Sequence, residues 1–168
     1  MWLLALCMLL AVGTPPAQPG CPVERMIAYS RDTTPGIPSG NGTSAPHGRR
    51  IHTSYFIYLV VGRGTVPSVS GVWLRGTYYA ATLERVTPPV VVARDTAVPT
   101  GEKDTLVPAT SSDVYRLHTG EAHDWSPENG DETELTRSNE LVVFVETSGE
   151  TAYCPVRTIK RLFPSAGM

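Results

Sequence analysis

The stretch IHTSYFIYLVVG, residues 51–62, decides the fold class. Ile51, Thr53, Tyr55, Ile57, Leu59 and Val61 fall on one face of an extended chain. His52, Ser54, Phe56, Tyr58 and Val60 fall on the other. A side-chain period of two, carried by β-branched and aromatic residues, marks a strand. Toward Val61 both faces become apolar, so the predicted strand is central and has material packed on each side.

The same pattern continues in both directions. VSGVWLRGTYYAATLERV (69–86) predicts a hairpin with its turn at Arg75-Gly76 or Gly76-Thr77, where glycine supplies a positive φ. Trp73 before the turn and Tyr78 and Tyr79 after it make aromatic cross-strand packing available. LVVFVET (141–147) and ETAYCPV (150–156) predict a second hairpin around Ser148-Gly149. Shorter extended segments are expected at 22–30, 89–94, 105–109, 113–119 and 157–163. Residues 31–50 and 96–104 read as turn-rich connections, and 120–140 as a polar, acidic loop with room for one short turn. No segment sustains a helical period. Roughly eight to nine short strands at turn-punctuated intervals predict an all-β chain: an antiparallel β-sandwich of Ig-like architecture, with a small β-barrel as the alternative.

The ends of the chain speak to compartment. Residues 2–12 form an unbroken apolar run, shorter than the roughly 20 residues of a membrane-spanning helix and suited to a signal-peptide core. Small residues permit cleavage after Gly13 or Ala17, although no Lys or Arg precedes the run. The expected organisation is a signal peptide and short linker over 1–20 and one domain over 21–164. Removal of the leader takes Cys7 with it and leaves Cys21 and Cys154, each followed by Pro-Val. Two cysteines in an oxidising compartment predict a disulfide tying the two ends of the domain together. A competing reading acylates Cys21, although Gln18 and Pro19 fit a lipidation signal poorly. Asn41-Gly42-Thr43 has the form of an N-glycosylation sequon.

Chemistry is sparse. A net charge of −2 gives no electrostatic case for nucleic acid or an anionic membrane surface. His118 and His123, with Glu121 and Asp124, are candidate metal ligands by residue type, but their spacing matches no zinc signature. The carboxylates around Gly130 fail the EF-hand template. Gly62 and Gly64 follow a strand without the third glycine and helix of a nucleotide loop, and no Gly-x-Ser-x-Gly elbow occurs. Surface aromatics remain. Trp73, Tyr78, Tyr79 and Trp125 are the candidate contacts for a ligand or partner, because their rings combine apolar bodies with polar tips.

These observations lead to an exported, non-catalytic domain with a binding or structural role and no cofactor. It is expected in a periplasm, at an envelope or outside the cell, with an unidentified protein or carbohydrate partner and no transmembrane span in the mature chain. A small secreted hydrolase or metal-dependent enzyme built on His118 and His123 is the alternative from another class. A lipid-anchored accessory subunit is the third reading.

Overall fold

A computed structural model describes residues 20–34, 51–94, 101–127, 130–147 and 149–166. The leader, its cleavage sites and the Asn41 sequon lie outside the described residues. In chain order the elements are β1 (Arg25–Thr34), β2 (His52–Val61), β3 (Ser68–Leu74), β4 (Thr77–Val86), β5 (Val90–Ala93), β6 (Lys103–Val107) and β7 (Asp113–His123). They continue with α1 (Gly130–Ser138), β8 (Leu141–Thr147), β9 (Glu150–Val156), β10 (Lys160–Arg161) and β11 (Ser165–Ala166).

The protein is all-β. One large sheet runs β10-β1-β2-β7-β4-β3-β8-β9, with β11 also alongside β1, and a second sheet holds only β5 and β6. The large sheet curls into a half-barrel. Its pairs are antiparallel except at β1, where β10 and β11 pair in parallel. It is therefore a mixed sheet, and the two layers are unequal in size.

Alternation along β2 explains the packing. Ile57, Leu59 and Val61 point into the curl and join Val72, Leu117, Val143 and Val145 in the main core. Tyr58 and Val60 point outward and meet Leu106, Val107 and Val114. The β5–β6 hairpin thus covers the outer face of β2, and the central strand expected from residues 51–62 is buried on both faces. Each apolar side chain sealed this way contributes about 1.5–3 kcal/mol before entropy is counted.

The two ends of the sheet are joined covalently. Cys21, just before β1, is bonded to Cys154 of β9 across 133 positions, with the Cα atoms 5.2 Å apart. Ile159 is buried in the same core, so the chain leaving β9 helps close the curl. Both hairpin turns stand where expected: Arg75 has φ 45° and Gly76 has φ 95°, and Gly149 has φ 91°.

Four local expectations change; of the segment expected to be extended over 157–163, only Lys160–Arg161 are strand. β1 extends to Thr34, into residues expected to begin a loop. β6 begins at Lys103, so part of the predicted 96–104 connection is strand. The largest change falls on 120–140: β7 continues to His123, and Gly130–Ser138 form a helix. That helix has no apolar stripe to reveal it. Asp131 and Glu132 in its first turn and Arg137 in its last suit the helix dipole. Glu134 pairs with Arg137, and Asn139 Nδ2 donates to the Leu135 carbonyl at 2.8 Å. Local charge and capping hold it, and hydrophobic periodicity does not register either.

Candidate functional site

The outer face of β3, β4, β8 and β9 carries a ring cluster. Strand register builds its floor: Trp73 lies opposite Tyr78 and Val142, and Phe144 lies opposite Tyr153. Trp125, from the segment between β7 and α1, lies over Trp73, Tyr78 and Phe144. Its ring stacks on Tyr78 at 5.4 Å and 20°, and meets Trp73 at 5.6 Å and 58°. It also meets Phe144 edge-on at 5.2 Å. Phe144 in turn makes edge contacts with Tyr78 and Tyr153, each at 5.3 Å. Such pairs add about 0.5–1.5 kcal/mol each beyond area burial.

Gly71 makes the arrangement sterically feasible. A Cβ there would stand 2.0 Å from the Tyr78 hydroxyl and 2.2 Å from its Cζ. The Tyr78 ring uses that space, and its hydroxyl donates to the Ser70 carbonyl at 3.3 Å. Burial first, and the charge of Glu146 second, push the Tyr78 hydroxyl above its ordinary pKa. The cluster is anchored to α1 at its far side, where Tyr153 Oη donates to the buried Glu132 carboxylate at 2.5 Å. A groove of about 420 Å³ runs beside β9, with Leu135 of α1 and Tyr153 among its walls.

Of the four aromatic residues singled out by sequence, the fold brings Trp73, Tyr78 and Trp125 together. Tyr79 goes elsewhere: it packs against the main core inside the curl. Adjacent residues on a strand face opposite ways, so Tyr78 and Tyr79 could not share a surface. Phe144 and Tyr153 were missed as cluster members. The signal was present, because a two-residue turn at Ser148-Gly149 sets Phe144 opposite Tyr153.

The metal candidates separate. His118 and His123 both lie on β7, where five extended residues span about 16 Å. His118 Nε2 pairs with Glu84 at 2.9 Å. His123 stands opposite Tyr78 at the rim of the ring cluster. Glu121 and Asp124 are exposed beside it. Among the described residues no group of three or more His, Cys, Asp or Glu could hold one ion. The Cys21 sulfur is committed to Cys154, which leaves none for an acyl chain.

No helix among the described residues is long and apolar enough to cross a membrane. The chain matches no protein-family model, no curated protein and no solved structure, so its function is argued from its own residues.

Proposed function

We propose that the chain is an exported, non-catalytic domain that binds a protein or carbohydrate partner through the Trp73–Tyr78–Trp125 cluster. The observation that carries this reading is the position of the rings. They gather half-exposed on the outer face, while the main core fills the curl without them. Tyrosine and tryptophan at such a surface combine apolar contact with hydrogen bonding. Trp73 Nε1 is a buried donor with no acceptor among the described residues, sealed beneath Trp125.

The disulfide between the ends of the sheet supports an oxidising compartment. The hydrolase or metal-enzyme alternative has less support, because β7 holds its two histidines apart. Lipid anchoring at Cys21 has less support for the reason given above.

The test is a screen of the disulfide-intact chain against glycan and extracellular-protein arrays, with Trp125→Ala in parallel. The expected result is a ligand bound by the parent and weakened at least tenfold by Trp125→Ala at unchanged overall fold. Equal binding by both proteins would move the site away from the cluster.

A further inference from the structure

A second feature lies on the same outer face, on other strands. β10, β1, β2 and β7 are neighbours in that order. Their register sets a row of side chains across them. Lys160 stands opposite Tyr29, and Tyr29 opposite Phe56. One position beyond the Ile57–Leu117 pair, His118 continues the row. Three strand spacings carry it across about 14 Å. Tyr29 and Phe56 are half-buried and pack against the outer apolar cluster, which fixes the face.

Two guanidinium groups flank the middle ring. Arg31 Cζ lies 5.6 Å and Arg116 Cζ 5.9 Å from the Phe56 centroid. Glu84 stands opposite Arg116 and pairs with His118. Arg116 and Lys160 thus stand in this lane beside the Glu84 carboxylate, which His118 engages. A chain of net charge −2 has gathered positive charge in one strip, interleaved with aromatic rings. Arg31 is only 9% exposed, so Arg116 and the exposed Lys160 are the cations offered to solvent.

We propose that this lane binds a sulfated polysaccharide. Arg116 and Lys160 receive its anionic groups, and the edges of Phe56 and Tyr29 lie against sugar rings. The cations stand on different strands, a separation that suits charges repeated along a polymer better than one small anion. The overall negative charge supplies no long-range attraction for any polyanion, so recognition rests on local complementarity. The choice of a polysaccharide rests on the exported binding role proposed above; the charged lane itself does not.

The experiment is elution of the disulfide-intact chain from immobilised heparin in a sodium chloride gradient, with a double-stranded DNA column alongside. The parent is expected to be retained on heparin at about 0.15 M salt. Arg116→Gln/Lys160→Gln should elute earlier, and its log–log salt dependence should be shallower by about two ion contacts. Arg63→Gln, which removes an exposed cation from the turn after β2, should elute with the parent. No retention of the parent, or equal loss in Arg63→Gln, overturns the proposal. Equal retention on DNA shows a general polyanion surface and also overturns it. Loss in Trp125→Ala alone assigns binding to the ring cluster. If the double variant melts early, Lys160→Gln alone decides, because its side chain is exposed. Failure of export, or of the ring-cluster reading, leaves the elution order of these variants unchanged.

Discussion

Glu140 holds Arg75 with one carboxylate oxygen and Ile159 with the other. Arg75 Nη2 lies 3.1 Å from Oε1, and the Ile159 backbone N–H donates to Oε2 at 2.6 Å. The Arg75 N–H also donates to the Glu140 carbonyl at 2.9 Å. The guanidinium lies 5.7 Å from the Tyr55 ring centroid. The β3–β4 turn, the approach to β8, the segment after β9 and β2 therefore meet at one end of the curl.

This clasp predicts an asymmetry between its two members. Both side chains are about one-third exposed, so the ion pair alone is worth under about 1 kcal/mol. The Ile159 N–H has no such screening once its acceptor is gone, and an orphaned donor costs about 1–3 kcal/mol. Glu140→Ala should destabilise more than Arg75→Ala in urea denaturation. Equal losses would show that the ion pair, and not the N–H acceptor, does the holding.

Gly71→Ala should displace Tyr78. The added Cβ cannot share space with the ring, and the ring cannot move without disturbing its stack with Trp125. A loss of about 1–3 kcal/mol is expected, together with a change in the near-ultraviolet circular dichroism of the ring cluster. A parent-like spectrum would mean that the cluster repacks freely.

Asp113 makes stability depend on pH. The Gly64 N–H, donating at 2.7 Å, and Arg85, at 2.6 Å, hold its carboxyl below the ordinary carboxylate value. A folded-state pKa below the unfolded one gives stability that is present above the unfolded value. It is lost as pH falls through the folded value. Acid should therefore destabilise the parent more than Asp113→Asn below about pH 4. Parallel denaturation curves of the two proteins from pH 7 to 3 read this directly; identical acid sensitivity would remove Asp113 from the account.

Removal of the Cys21–Cys154 bond should lower the melting temperature. The chain-entropy ceiling for a loop of this length is about 5 kcal/mol, and strain or residual structure reduces it. Cys154→Ser, or the parent under reducing conditions, should melt several degrees lower than the oxidised parent. An unchanged melt would mean that Ile159 and the β1–β10 pairing already hold the seam.

Export predicts a mature chain beginning near Thr14 or Gln18 that gains about two hydrogens on reduction. Intact mass of protein recovered from its native host measures both. A mass retaining Met1, or one starting at an acylated Cys21, contradicts this reading.

The sequence by itself determined the all-β class, the central strand at 51–62, both hairpin turns and the pairing of Cys21 with Cys154. Each is encoded locally, in a two-residue side-chain period or a glycine at a turn, or, for the disulfide, follows from the expectation that a cleaved leader takes Cys7 with it. Tertiary structure decided what those strands face. The order β10-β1-β2-β7-β4-β3-β8-β9 is set by which apolar faces can be buried together, and no stretch of chain records it. That order brings Phe144 beneath Trp125 beside Trp73 and Tyr78, and sets Lys160, Phe56 and Arg116 along one lane. It also gives Glu140 to Arg75, 65 positions away. α1 escaped for the opposite reason: its charges and cap stabilise it without a buried stripe, so the period that betrays most helices is absent.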